Sequence, residues 1–201
     1  VPGCYPTAST LALLPAVAGG LVDPTQISIV AASGTSGAGK AAKPHLIGSE
    51  VMGSMSPYGV GGGHRHTPEI TQNLSSVTES EVSVSFTPLL APMPRGILAT
   101  CSAPIVGDVS TAIARATYEA FYADEPFVDL LPEGSWPQTA AVVGSNRATV
   151  QVVIDLAARR LIAISAIDNL TKGTAGGAVQ SKNIALGLEE STGLSTTGVA
   201  P

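Results

Sequence analysis

The sequence predicts an α+β domain built on a mixed, largely antiparallel sheet flanked by helices. Short apolar stretches rich in Val and Ile outnumber the stretches with helical spacing. These strand-like runs follow one another with only a few helices between them, which does not fit strict βα alternation. Of the 201 residues, 44% are hydrophobic and 12% charged, enough apolar material to close a core and too much for a disordered chain. Aromatics are only 4%, so Val, Ile, Leu and Ala must fill that core.

The first helix is expected over residues 7–18, with Pro6 and Thr7 at its start and Gly19-Gly20 as its stop. Leu11, Leu14 and Val17, with Ala12 and Ala18, give it an apolar stripe. A strand follows at 27–32, then a Gly/Ser-rich loop at 33–42. Residues 52–63 carry five glycines and read as irregular. Thr67 and Pro68 begin a short helix ending near residue 74. Alternation marks a strand at 82–86. Pro88, Pro92 and Pro94 then stiffen a connection that ends at Arg95, before a strand at 96–105. A second amphipathic helix spans 109–123 through Ile113, Ala116, Tyr118 and Phe121. Strands are expected at 127–131, 140–143, 150–154 and 161–167, the last two joined by a hairpin. A helix of small residues at 173–186 and a polar tail complete the chain, and no internal repeat is visible.

The net charge of −5 argues against nucleic acid or an anionic membrane surface as a partner. It does not argue against a small anionic substrate, which feels the local field. No apolar run reaches the length of a membrane span, and no basic segment introduces a cleavable signal. The two cysteines form neither a disulfide framework nor a metal-ligand spacing, so no metal is expected and a reducing, cytoplasmic setting fits. Cys101, inside a strand, reads as a small core residue.

Four segments carry residues suited to chemistry. Cys4 lies just before the first helical pattern, where helix N–H groups and the dipole would ease ionisation of a thiol; the alternative is a small buried residue at a turn. The run from Gly34 to Lys40 matches the G-x-x-x-x-G-K core of a phosphate loop. Ala41 stands where a hydroxyl should reach magnesium, and Pro44 would interrupt the following helix, so a nucleotide triphosphatase is not expected. The loop is either a cradle of N–H groups for an anion or a plain connection. His64-Arg65-His66-Thr67-Pro68-Glu69-Ile70 supplies two histidines, either of which could exchange protons with a thiol near neutral pH. Arg95 suits a carboxylate or phosphate, or is simply solvated. Gly173, Gly176 and Gly177 imply close backbone approach by another helix or by a flat ligand. No G-x-G-x-x-G unit of a dinucleotide fold is present.

Gly3-Cys4-Tyr5-Pro6-Thr7, residues 33–40, 64–70, 85–97 and 169–180 resemble, in that order, the signature stretches of the N-acetyl-gamma-glutamyl-phosphate reductase family. The resemblance covers nearly the whole chain. It implies the catalytic-domain fold of glyceraldehyde-3-phosphate-dehydrogenase-like enzymes and an NADP-dependent reductase of arginine biosynthesis. Cys4 would carry the acyl group as a thioester, and His66 would be the acid/base. His64, Arg95, Glu69, Ser33 and Gly34 would contact the acyl phosphate, with Glu69 orienting a neighbour. Asn169, Gly173 and Gly176 would face the cofactor. A homo-oligomer, dimer or tetramer, is implied too. Residues 1–170 correspond to the catalytic and dimerisation domain. Residues 171–201 would pack on a preceding nucleotide-binding domain that this chain lacks, so these 201 residues alone are expected to be inactive. The rival readings are a related semialdehyde dehydrogenase acting on another amino-acyl phosphate, and a purely structural or oligomerising domain.

Overall fold

A computed structural model describes residues 1–39 and 41–199. It contains six α-helices: α1 (Cys4–Ala18), α2 (Gly48–Val51), α3 (Thr67–Ser75), α4 (Thr111–Tyr122), α5 (Thr139–Val142) and α6 (Gly176–Ala185). The strands are β1 (Ile27–Ser33), β2 (Ser56–Pro57), β3 (Val84–Leu90), β4 (Ile97–Pro104), β5 (Val128–Leu130), β6 (Ala148–Asp155) and β7 (Arg160–Ile167). They form one sheet in the order β2-β3-β1-β4-β7-β6-β5. β1 pairs in parallel with β3, and β5 with β6; the other pairings are antiparallel. The expected mixed, largely antiparallel sheet is therefore present.

The alternation of β1 and β4 puts Ile27, Ile29 and Ala31 beside Ile97, Ala99, Cys101 and Ala103 on one buried face. That face packs on α1, with α3 and α4 completing the layer. Cys101 is a core residue, as its strand position implies, and both cysteines are free thiols. The opposite face, with Val30, Leu98, Thr100, Ile162 and Ile164, is only partly covered, and Val30 is 43% exposed.

α1 is central, not a surface helix with one apolar stripe. Its most buried residues are Ala8, Ser9, Ala12, Leu13 and Ala16, while Leu11 and Leu14 are half-buried and Ala18 is exposed. The small side chains let α1 contact β4, β7, α3 and α4 together. The helix begins at Cys4, earlier than the Pro6-Thr7 pair suggests. Pro6 then sits in the first turn, where a missing N–H costs nothing. Pro15 lies deeper and leaves the carbonyl of Leu11 without its usual N–H partner. The Tyr122 hydroxyl donates to that carbonyl at 2.6 Å. Beside it, the Tyr118 hydroxyl donates to the Ala12 carbonyl at 2.6 Å. The end at Gly19-Gly20 is as expected, with Gly20 at φ +64°.

Several local expectations are corrected. Residues 140–143 are not a strand: α5 occupies this stretch, and β6 continues past it from Ala148. β3 runs on through Pro88 to Leu90, so the proline-rich connection begins only at Ala91. β2 lies on one side of β3 with only two residues, leaving that side mostly unpaired and tolerant of a proline. In α4 the buried stripe is Ala114, Tyr118 and Tyr122; Ile113 and Phe121 are exposed. The last helix opens with a π-helical turn, Thr171–Ala175, before α6. No helix among the described residues is long and apolar enough to cross a membrane.

Candidate active site

The first turn of α1, the segment His64–His66 leading into α3 and the turn after β1 converge on a cavity of about 410 Å³. Cys4, Ser33, Gly34, His64 and His66 line it, bringing together five of the residues singled out from sequence. This volume lies within the range of small-molecule sites.

Gly3 is the N-cap of α1, and its N–H donates to Glu69 Oε1 at 2.8 Å. The same helix α3 thus holds the start of α1 through Glu69 and presents His66 from its own N-terminal edge. A β-carbon at Gly3 would come within 2.5 Å of His66 Nε2, so the glycine admits the imidazole beside the cysteine. His66 is buried, and its Nδ1 has no hydrogen-bond partner. Burial and the neighbouring His64 hold its pKa down, to about 4, so the ring is neutral at pH 7. His64 Nδ1 accepts from the His66 backbone N–H at 3.1 Å. Its ring packs edge-on to Tyr5, Tyr58 and Phe86 at centroid distances of 5.4–5.5 Å.

The expectation of an acidic thiol at Cys4 is corrected. Burial raises its pKa above the ordinary cysteine value, and Glu69 adds to the rise. The N–H groups of Tyr5 and Cys4 and the charge of Arg65 pull the other way without winning. The helix terminus works as expected, but desolvation is larger.

The loop after β1 is not an open cradle of N–H groups. Its residues Thr35–Ala38 form a 3-10 turn, and most of the loop's N–H groups are already paired. Gly34 N–H donates to the Gly96 carbonyl, Thr35 to Met93 and Ser36 to Pro94, at 2.9–3.1 Å. A β-carbon at Gly34 would strike the Arg95 backbone at 2.7 Å, which explains that glycine. Lys40, the last residue of the loop motif, lies outside the described residues.

Arg95 does not line the cavity. Its guanidinium donates to Asp168 Oδ1 at 2.8 Å and to Thr171 Oγ1 at 3.1 Å. Asp168 is fully buried and also accepts the N–H groups of Gly144, Leu170 and Thr171. Burial pushes its carboxyl up, but these bonds more than offset that and hold it below the usual range.

Asn169, Gly173 and Gly176 are engaged in internal contacts. The Asn169 side chain is buried, accepting from Gly96 N–H at 2.7 Å and donating to Ser36 Oγ at 3.0 Å. Gly173 is covered by Cys4, and Gly176 by Asn146 and the Thr171 carbonyl. The close approach implied by these glycines is thus internal: the π-helical turn packs against α1.

Sequence reasoning missed Lys43, His45 and Arg65, which line the same cavity. Arg65 stood in view between the two histidines; Lys43 and His45 flank Pro44 in an otherwise uncharged stretch. It also missed the Tyr58 hydroxyl, which donates to that of Tyr5 at 2.8 Å across the cavity wall. No cluster of three metal-ligating side chains occurs among the described residues.

Residues 4–169 match the family described as semialdehyde dehydrogenase, dimerisation domain. The chain belongs to that family. Within this semialdehyde dehydrogenase family it is 71% identical over 201 residues to the N-acetyl-gamma-glutamyl-phosphate reductase of Streptomyces coelicolor. It is 68% identical to the protein of that name from Thermobifida fusca. In both comparisons all of this chain is matched, but only 58% of the relative. Aspartate semialdehyde dehydrogenase II of Vibrio cholerae superposes with a TM-score of 0.73 at 16% identity, over 92% of this chain and 61% of that one. A probable aspartate-semialdehyde dehydrogenase of Pseudomonas aeruginosa gives 0.74 at 17%, with the same coverage. At such identities these two structures establish the fold of the semialdehyde dehydrogenase domain and nothing narrower.

Proposed function

We propose that this chain is the nucleophile-bearing part of a reductase that converts N-acetyl-L-glutamyl 5-phosphate to the 5-semialdehyde through a Cys4 thioester. The observation that carries the reading is the meeting of Cys4 and His66 in one cavity, with Glu69 bracing the cysteine's helix. Relatives at 59–71% identity bear the name of that reductase, which favours it over an aspartate semialdehyde dehydrogenase. A purely structural role is disfavoured by the partnerless, buried Nδ1 of His66 and by the cavity itself.

In this reading Cys4 Sγ bonds to the acyl carbon as the carbon–oxygen bond to phosphate breaks. His66 takes the thiol proton and returns it to the departing phosphate. At pH 7 His66 is neutral and free to accept the thiol proton, but its lowered pKa and the raised pKa of Cys4 make the transfer uphill. His64 positions His66 through its backbone N–H. A nicotinamide cofactor, NADP, would supply the hydride that reduces the thioester. Asn169, Gly173 and Gly176 are taken up by internal packing, and most of the cofactor's site would lie in the further length that the relatives possess. The half-covered sheet face around Val30, Leu98 and Ile164 is suited to self-association, in keeping with a dimerisation domain. Two free thiols suit a reducing cytosol.

The test is phosphate-dependent NADP reduction by the full-length enzyme with N-acetyl-L-glutamate 5-semialdehyde. Cys4→Ser should abolish it. His66→Asn should slow it by about 10²–10⁴-fold, and more than His64→Asn. Residues 1–201 alone should give no turnover, yet gain the mass of one acyl group from an acyl phosphate. A preference for aspartate semialdehyde would overturn the substrate assignment.

A further inference from the structure

We infer that the Cys4 cavity holds a substrate with two anionic ends, Arg65 taking the leaving phosphate and Lys43 with His45 taking a carboxylate at the other end. This deepens the reading above and rests on it. In the loop after β1 the N–H groups of Gly34, Thr35 and Ser36 are spent on residues 93–96 and those of Gly37 and Gly39 on Gly34 and Ser36, so anions entering this cavity draw on side chains. Arg65 and Lys43, both cationic, and the imidazole of His45 line the wall, and among the described residues no Asp or Glu does. They come from two segments. Arg65 is contiguous with His64 and His66 and lines the same cavity as Cys4, whose thiol feels its charge against the larger rise from burial. Lys43 and His45 flank Pro44 at the 3-10 turn Pro44–Leu46, a separate stretch of wall.

All three side chains are exposed, and among the described residues none makes an ion pair with a carboxylate. Cations gathered on one concave wall without counter-charges raise the local concentration of anions and orient them. Arg can bind a phosphate through two parallel N–H bonds, whereas Lys and His offer point contacts suited to a smaller carboxylate. The nearest carboxylate in sequence, Glu69, accepts the N–H of Gly3 and makes no ion pair with Arg65. A substrate lacking the second anion would lose its hold on the Lys43 side and swing its acyl carbon away from Cys4.

The experiment uses the full-length enzyme and the rate of Cys4 alkylation by iodoacetamide. Protectants are inorganic phosphate and N-acetyl-L-norvaline, which keeps the carboxylate and has no second acid. Arg65→Gln should raise the half-protecting concentration of phosphate at least tenfold and leave N-acetyl-L-norvaline within about twofold. Lys43→Gln combined with His45→Gln should do the reverse. Because these side chains are exposed, the variants should fold, and unfolding in urea verifies it. No protection in the wild type, or equal effects of both variants on both ligands, overturns the assignment. This readout needs no turnover: protection that divides as described in an enzyme unable to reduce NADP would sink the proposed function and leave the anion site standing.

Discussion

Gly173 lies directly behind Cys4: a β-carbon at Gly173 would stand 2.7 Å from Cys4 Cβ and 3.0 Å from its Cα. The π-helical turn can approach α1 this closely only because residue 173 has no side chain. Gly173→Ala must therefore displace either the turn or the first residues of α1. Overpacking of this kind costs about 1–3 kcal/mol. Urea unfolding should show that loss, and the Cys4 alkylation rate should change with it. Gly48→Ala is the control, since only Met52 Sδ lies near its added carbon, at 4.0 Å. A Gly173→Ala protein as stable as Gly48→Ala would remove the argument.

Glu69 acts on Cys4 in two ways that substitution can separate. Its carboxylate accepts the N–H of Gly3, and its charge raises the pKa of Cys4. Glu69→Ala leaves a part-buried donor unpaired, a loss of about 1–3 kcal/mol. Glu69→Gln keeps an acceptor while removing the charge. Both should shift the midpoint of the Cys4 alkylation pH profile downward, but only the alanine should lose much stability. Unchanged midpoints in both variants would show that the carboxylate has no electrical influence on the thiol.

The Val- and Ile-rich runs at 27–32, 96–105 and 161–167 made the central strands readable, and the grouping of Cys4 with the histidine segment followed from motif and order. What stayed hidden depends on long-range packing. The centrality of α1 was obscured because Ala8, Ala12 and Ala16 look bland in a helical pattern, yet they are the contacts that let four elements meet. Arg95 reads as a binding arginine until Asp168, 73 residues away, is placed beside it. The N–H groups of the Gly34 loop seem open until residues 93–96 fold over them. The thiol pKa was misjudged for the same reason: the helix terminus is local and visible, whereas burial is not.

Asp168 gathers the π-helical turn, the turn at Gly144 and the Arg95 loop on one carboxylate. Asp168→Asn replaces an acceptor-only group with one that must aim an NH₂ at donors. It should destabilise by about 2–4 kcal/mol, near the lower end of the range for breaking a buried ion pair. Arg95→Met should cost less, because Asp168 keeps its three N–H partners and the arginine side chain is already 35% exposed. Urea unfolding of the two variants tests the order. Arg95→Met proving the more damaging would mean the arginine, and not the N–H cluster, holds this corner together.

His66 makes stability depend on pH in a defined direction. Burial and His64 hold its folded pKa at about 4, below the value of about 6.5 expected of an unfolded chain. Between these values the unfolded state binds more protons, so stability rises with pH. The contribution is fully present above pH about 6.5 and is lost as pH falls toward 4. Its size is on the order of 2–3 kcal/mol. His64 shifts in the same direction, so His64→Gln is the comparison. Urea unfolding at pH 7 and 4.5 should show the wild type losing more stability on acidification than His66→Gln. Equal losses in both proteins would show that His66 titrates normally. The charge state required for proton transfer from Cys4 would then be set by solution pH alone, and the neutral imidazole on which the proposed chemistry relies would not be built into the fold.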